Sequence, residues 1–293
     1  MRVSLGRLTL LIPLYHSSRF ADIIYDTING HLAAGASILL SDRHQIDDFA
    51  IELRQRYANQ SKVTVITASD NLDWVQNINL LIAAVRTDFF RILPHDDSTT
   101  PIASLALLQA LDADASAIVA TGIVRAIDLN NQRIPAKDKM QPRPSYVDEQ
   151  WGYTKALDFF FKGYYPGAFK GVIRTQCIQQ FDLTIRPTST LIDSERCWLF
   201  GLHLLGPFCF VELDAIYKRH YPESTHRRWQ REASNHLDNG DTLIAYCHQL
   251  LNDKQLINMA EKHIRQNSFL RYQSDLQGLP VSTYYRDFIA ALI

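Results

Sequence analysis

Apolar residues in the first half of the chain follow two alternating patterns. Leu8-Thr-Leu-Leu-Ile12 is a short β-rich run closed by Pro13, the pattern of a buried strand that runs into a loop. Residues 18 to 33 then place Phe20, Ile23, Ile24, Ile28 and Leu32 near a 3.6-residue period, and Gly35 precedes a second apolar run, Ala36 to Leu40. Helix-like stretches at Ile46 to Tyr57 and Trp74 to Val85 alternate with strands at Lys62 to Thr67 and Phe89 to Leu93. A helix at 101 to 112 then precedes a strand at Ala117 to Ile123. This alternation predicts an α/β fold, a largely parallel sheet covered by helices on both faces.

From about 130 to 150 the pattern loosens into a polar, Pro-containing loop. Periodicity resumes with a strand at Phe169 to Arg174 containing Gly171, a helix at Glu195 to Leu205 stopped by Gly206-Pro207, and a strand at Phe208 to Leu213. After Pro222 the chain reads as amphipathic helix, with Leu243, Ile244, Cys247, Leu250 and Leu251 on one stripe. A chain of 293 residues with 46% hydrophobic and 21% charged residues can bury one large core plus a smaller helical extension.

A formal charge of -1 gives no global field for a polyanion, which argues against nucleic acid. Lys218, Arg219, His220, His226, Arg227 and Arg228 do cluster, and such a cluster either meets phosphate or acidic lipid or is simply a solvated face. Cys177, Cys197, Cys209 and Cys247 lack ligand spacing and read as reduced, packed thiols of a cytoplasmic protein. The N-terminal apolar run, Leu8 to Leu14, is far short of a membrane span, so the expected location is cytoplasmic, with peripheral contact at the inner membrane face open to the basic cluster.

In open sheets of this kind ligands sit at the carboxyl ends of strands. Those ends are Pro13 to His16, Ser41 to His44, Ala68 to Asn71 and Pro94 to Asp97. The sharpest is Phe89-Phe-Arg-Ile-Leu-Pro-His-Asp-Asp97, which delivers two adjacent carboxylates into a loop. Unpaired neighbouring acids repel, so a site that keeps both usually supplies a cation, and hard oxygen ligands suit Mg2+ or Mn2+ beside a diphosphate. The bland alternative is that Asp96 and Asp97 cap the helix starting near Pro101. Asn77 and Asn79 lie two apart on a helix and cannot share a face. Trp74 can stack on a base or sugar or be buried as core, Lys170-Gly171 can approach an acceptor or mark a bulge, and His95 adjoins the acid loop.

On these residues the sequence resembles the family 2 glycosyltransferases, inverting enzymes of GT-A fold, over roughly residues 8 to 225. The family's opening strand turn is matched by Leu11-Ile-Pro-Leu-Tyr-His16, and its base-contacting acid by Asp42 of Ser41-Asp42. A subgroup's Gly-Trp-x-x-Asn-x-Asn helix is matched by Asp73-Trp-Val-Gln-Asn-Ile-Asn79, and its Pro-His-Asp-Asp metal motif by Pro94 to Asp97. Where the subgroup has Arg-Arg-x-His, this chain reads Lys218-Arg-His-Tyr221. The resemblance implies nucleotide-sugar contacts at Pro13, Tyr15, Asp42, Asn71, Trp74, Asn77, His95 and Asp96. It implies a Mn2+ or Mg2+ ion held by Asp96, Asp97 and His220. An inverting transfer also needs a base for the acceptor hydroxyl. The candidates are Asp193 and Glu195, and alignment on Gly206 favours Glu195; acids in a helix's first turn are also favoured by the dipole alone.

The implied organisation is a GT-A type, Rossmann-like catalytic domain over 1–225, with its nucleotide-sugar part at about 8–125 and its acceptor part at about 150–225. A C-terminal helical extension covers 226–293. The expected activity is metal-assisted hexosyl transfer, with inversion, from a nucleotide-diphosphate donor to a hydroxyl of a glycan or lipid-linked acceptor, as in polysaccharide biosynthesis. The alternative is a non-catalytic GT-A-like protein that binds nucleotide or glycan. A nucleotidyltransferase would need a Gly-rich phosphate loop after the first strand, and Pro13 to Arg19 has no Gly.

Overall fold

The computed structural model describes residues 4–42, 49–67, 72–140, 152–191, 193–223 and 232–278. Seven strands form one sheet: β1 (Leu8–Leu14), β2 (Ser37–Asp42), β3 (Val63–Thr67), β4 (Phe89–Ile92), β5 (Val119–Ile127), β6 (Val172–Arg174) and β7 (Phe208–Arg219), in the order β3-β2-β1-β4-β6-β5-β7. The interleaved helices are α1 (Ala21–Ala33), α2 (Phe49–Arg56), α3 (Trp74–Ala83), α4 (Pro101–Ala113) and α6 (Thr175–Phe181), with α5 (Tyr153–Phe161) preceding α6 in the chain. The last three are α7 (Ser194–Leu205), α8 (Asn235–Leu250) and α9 (Lys254–Gln277).

The apolar runs read from the sequence are the strands of this sheet, and β1, β4 and β6 are buried almost throughout because both faces are covered. One strand departs from the parallel expectation: β6 pairs antiparallel with both β4 and β5. β7 runs to Arg219, well past the expected end at Leu213, because register shifts after Gly122 and Ile123 insert extra β7 residues opposite β5. Such bulges scramble period-2 alternation, so Asp214 to Arg219 does not read as a strand. Phe169 and Lys170 lie in a short 3-10 turn, Pro166–Lys170, before β6 rather than in the strand itself. α5 and α6 were not evident from periodicity.

Gly171 sits where backbone meets backbone within the sheet. A Cβ there would fall 2.5 Å from the Ala120 carbonyl oxygen and 2.9 Å from Val119 Cγ1, so the glycine lets this segment approach β5 closely. Gly171→Ala is expected to cost about 1–3 kcal/mol by overpacking. At roughly 2–4 °C per kcal/mol for a large domain, the melting temperature should drop visibly in a thermal scan. An unchanged melting temperature would mean that β5 and β6 have slack.

By internal packing the described residues divide into two units. The first draws on Met1–Glu149, Tyr165–Thr184 and Gly206–Pro222 and holds the whole sheet with α1 to α4 and α6. The second draws on Gln150–Tyr164, Ile185–Leu205 and Glu223–Ile293 and consists of α5, α7, α8 and α9. The C-terminal helices thus pack with α5 and α7, a grouping that differs from the boundary expected at 225. α8 buries Leu243, Ile244, Cys247 and Leu250, four of the five residues of the predicted stripe, and Tyr246 with them, while Leu251 caps the helix end half-buried. All four cysteines are free thiols, as their spacing suggested. Among the described residues no helix is long and apolar enough to cross a membrane.

Candidate active site

β1 and β4 are parallel neighbours, so their carboxyl ends bring Pro13 beside the Pro94–Asp97 turn. His95 makes the link: its Nδ1 donates to the Pro13 carbonyl at 3.2 Å, which fixes the tautomer because a carbonyl can only accept. Burial pulls the His95 pKa down, so the ring is held neutral.

The acid turn is clamped from β7. Asp97 N–H donates to the Pro94 carbonyl at 3.0 Å, and Ser98 and Tyr217 exchange backbone hydrogen bonds of 3.1 and 2.9 Å. Arg219, nearly fully buried, gives its backbone N–H to Asp97 Oδ1 at 3.0 Å and its Nε to the Asp96 carbonyl at 3.1 Å. Its remaining nitrogens reach the Asp128 carbonyl and Asn131 Oδ1 at 2.7 and 2.9 Å. Asp97 Oδ2 is ion-paired with Lys170. Burial pushes the Asp97 carboxyl up while the Lys170 ammonium opposes it. Beneath them the buried Arg91 donates to the carbonyls of Lys170 and Ala215 at 2.9 and 2.8 Å, and to Thr99 and Ser104. Burial lowers its pKa to about 9.

Asp97 is 3% exposed and both its carboxylate oxygens accept hydrogen bonds, from Lys170 and the Arg219 N–H, so it braces the turn beside Asp96, the leading metal ligand expected from the sequence. Asp96 is the presented acid. It is half-buried, its Oδ2 accepts the Tyr221 hydroxyl at 2.9 Å, and its Oδ1 has no hydrogen-bond partner among the described residues. Tyr221 packs between Phe20, with ring centroids 5.6 Å apart, and the Arg19 guanidinium, 4.6 Å from its ring. Burial and the adjacent Asp96 push the Tyr221 phenol up, which keeps it a donor. His220 lies between Arg219 and Tyr221 in sequence, with its backbone N–H on the Ile127 carbonyl at 2.8 Å.

No three His, Cys, Asp or Glu side chains converge among the described residues into a group able to hold an ion, so the ligand trio of Asp96, Asp97 and His220 is not assembled. The chemistry of the turn fits a hard cation through Asp96, whose one unspent carboxylate oxygen is the kind of ligand Mg2+ or Mn2+ would take.

The remaining expected contacts are distributed around these ends. Asp42 is buried at the end of β2, 4.0 Å from Arg54. Tyr15 is 41% exposed at the exit of β1, its ring edge-on to His16 at 4.5 Å. Trp74, half-buried, opens α3 behind an Asp73–Gln76 capping box and packs edge-on against Phe169 at 6.3 Å. Asn77 is buried with its Oδ1 unpartnered, while Asn79 lies on a half-exposed face, as their spacing required. Asn71, His44 and the basic residues His226, Arg227 and Arg228 lie outside the described residues.

The candidate bases belong to the helical unit. Asp193 is 4% exposed and accepts from Asn239 Nδ2 at 2.8 Å just before α7. Glu195, half-exposed in the first turn, accepts the Tyr164 hydroxyl at 2.5 Å through Oε1. Burial and the Glu195 charge push the Tyr164 phenol well up, so Tyr164 remains the donor. The Arg196 guanidinium lies 4.5 Å from the Phe160 ring and 4.8 Å from that of Tyr164, packing the same corner. Lys170, Arg219, Tyr221 and Tyr164 had not been assigned these roles from sequence, because each reaches its acid only through the fold.

A sheet whose β1, β2 and β4 carry Pro13, Asp42 and Asp96 at their carboxyl ends, with a second acid bracing the turn, is the GT-A fold of nucleotide-sugar transferases. The sequence model for "Glycosyl transferase family 2" matches residues 9–174, more than half of the chain, and the chain belongs to that family. Solved structures of S. aureus TarS share the fold. TarS 1–349 in complex with UDP-GlcNAc has a TM-score of 0.62 at 10% identity, covering 90% of this chain and 72% of that one. The complex with UDP has a TM-score of 0.60 at 9% identity, covering 88% and 70%. Another TarS structure gives 0.57 at 12%, covering 92% of this chain and 44% of that one. No curated protein sequence is similar enough to count as a relative.

Proposed function

We propose that this chain is an inverting glycosyltransferase that moves a hexose from a nucleotide-diphosphate donor to a hydroxyl of a glycan or lipid-linked acceptor. The observation that carries the reading is Asp96, presented with one unspent carboxylate oxygen at the end of β4 by a turn that Lys170 and Arg219 hold rigid. Asp96 would hold a Mn2+ or Mg2+ ion, which when bound neutralises charge on the departing diphosphate. Glu195 takes the proton of the acceptor hydroxyl, with Tyr164 fixing its carboxylate. Asp42 meets the nucleotide base, and a UDP-sugar is the first donor to try, because the TarS structures of similar fold hold UDP and UDP-GlcNAc. The reading places the enzyme on the cytoplasmic side, with peripheral membrane contact open to its basic segment.

The neutralisation of Asp97 by Lys170 favours one second reading, a non-catalytic protein of this fold that binds nucleotide or glycan. Titration with UDP in the presence of Mn2+ separates the possibilities. Asp96→Ala is expected to weaken UDP at least about tenfold, or 1.4 kcal/mol. It should also remove nucleotide release from a panel of activated sugars. UDP binding without release from any donor would favour the second reading, and UDP binding indifferent to Asp96 and to metal would sink the assignment of the site.

A further inference from the structure

The opposite ends of the same strands hold a feature that sugar transfer leaves unused. A cavity of about 350 Å³ lies where β1 and β4 begin and β6 ends, with Arg7, Arg86, Asp88, Arg174, Thr175 and Gln179 on its walls. Three guanidinium groups face one carboxylate across this lining. Arg7 and Arg174 also approach one aromatic ring, at 4.9 and 5.4 Å from the centroid of Phe89.

The arginines are fixed but not exhausted. Arg174 donates to the backbone carbonyls of Ala117, Leu111 and Asp114 at 2.7, 2.5 and 2.9 Å. Arg86 gives Nη1 to the carbonyls of Ala83 and Val85 at 2.9 and 2.8 Å, closing the end of α3. Neither is hydrogen-bonded to a carboxylate among the described residues. A guanidinium carries five N–H donors, so each keeps some in hand while its backbone bonds hold it in place. Arg7 is paired with Asp88 at 2.7 Å and Asp112 at 3.0 Å, but these pairs are largely exposed and weakly held.

The second observation is Thr175. It is 5% exposed, its backbone N–H is spent on the Asp88 carbonyl at 2.9 Å, and its hydroxyl is buried with no hydrogen-bond partner. That hydroxyl is closed to solvent, so a bound acceptor recovers the cost of leaving it unpaired once the Thr175 side chain turns toward the cavity. Positive charge in excess, pre-oriented guanidinium donors and an unsatisfied hydroxyl are together what a tetrahedral oxyanion requires. We propose that this cavity is a binding site for a phosphate group, at the end of the sheet opposite the donor site.

The test is calorimetric titration of the full chain with inorganic phosphate against sodium chloride of matched ionic strength, where saturable binding is expected. Arg86→Gln removes a donor group from an exposed position, and Gln179→Glu sets a repelling carboxylate at the exposed rim. Each is expected to weaken phosphate about tenfold, the loss of roughly one charge-assisted hydrogen bond. Melting temperature should be unchanged in Gln179→Glu, whose side chain is exposed, and Asp96→Ala should leave phosphate binding intact. Flotation with phosphatidylglycerol vesicles separates the sources: retention lost in Gln179→Glu identifies a lipid phosphate, and phosphate binding without retention identifies a small soluble ligand. No saturable phosphate binding, or binding that both variants leave untouched, overturns the site.

Discussion

With Glu195 replaced by Gln, transfer is expected to fall by about 10²- to 10⁴-fold, the contribution of a positioned general base, while donor binding stays as it was. Gln is the informative substitution because its side-chain oxygen can still accept the Tyr164 hydroxyl, which Glu195 accepts at 2.5 Å. The first turn of α7 should therefore keep its geometry, and only the ability to take a proton is lost. Product formation under saturating donor and acceptor, read beside a UDP titration, checks both halves. Asp193 supplies the contrast: it is buried against Asn239, so Asp193→Asn should act on stability before chemistry. Undiminished turnover in Glu195→Gln would remove Glu195 from the mechanism and return the search to other acids.

The second large effect concerns folding. Lys170→Met strands the Asp97 carboxylate in a site where Asp97 is 3% exposed and keeps one further bond, from the Arg219 N–H at 3.0 Å. Breaking a buried pair by removing one partner costs about 3–5 kcal/mol, because the remaining charge is neither solvated nor compensated. Urea unfolding of Lys170→Met should show that loss as a lower midpoint. The double variant Lys170→Met with Asp97→Asn should recover much of it, since an amide does not carry the buried charge. A loss below about 1 kcal/mol would mean that the acid turn does not depend on the pair.

The parts of this molecule legible in sequence are those written locally. β1 to β4 and the helices between them show their period in a dozen residues each, and the strand that ends in Pro94 to Asp97 announces its acids directly. What was hidden are the partners. Lys170, Arg219 and Tyr221 reach the acid turn across sequence separations of 73, 122 and 125 residues. Nothing in a chain segment distinguishes a lysine destined for a buried carboxylate from one bound for solvent. The counter-charge of Asp97 was hidden for that reason: it is a side chain delivered by the turn before β6. β7 was underestimated because its inserted residues destroy the alternation by which strands are recognised. Arg219 was counted among a surface cluster, yet it is buried and serves as a clamp.

The position of β6 carries a consequence for how the chain is made. β4 and β5 are not neighbours; the three residues Val172–Arg174 lie between them and join β3-β2-β1-β4 to β5-β7. A nascent chain that has emerged only through β5 can zip its first four strands, but β5 has no edge to join. Ribosome-bound intermediates truncated before residue 172 should therefore carry one half-sheet with an open β4 margin. Insertion of β6, running against the direction of its neighbours, then gives β5 its place beside the first four strands, and β7 pairs with β5 only after it has emerged in turn.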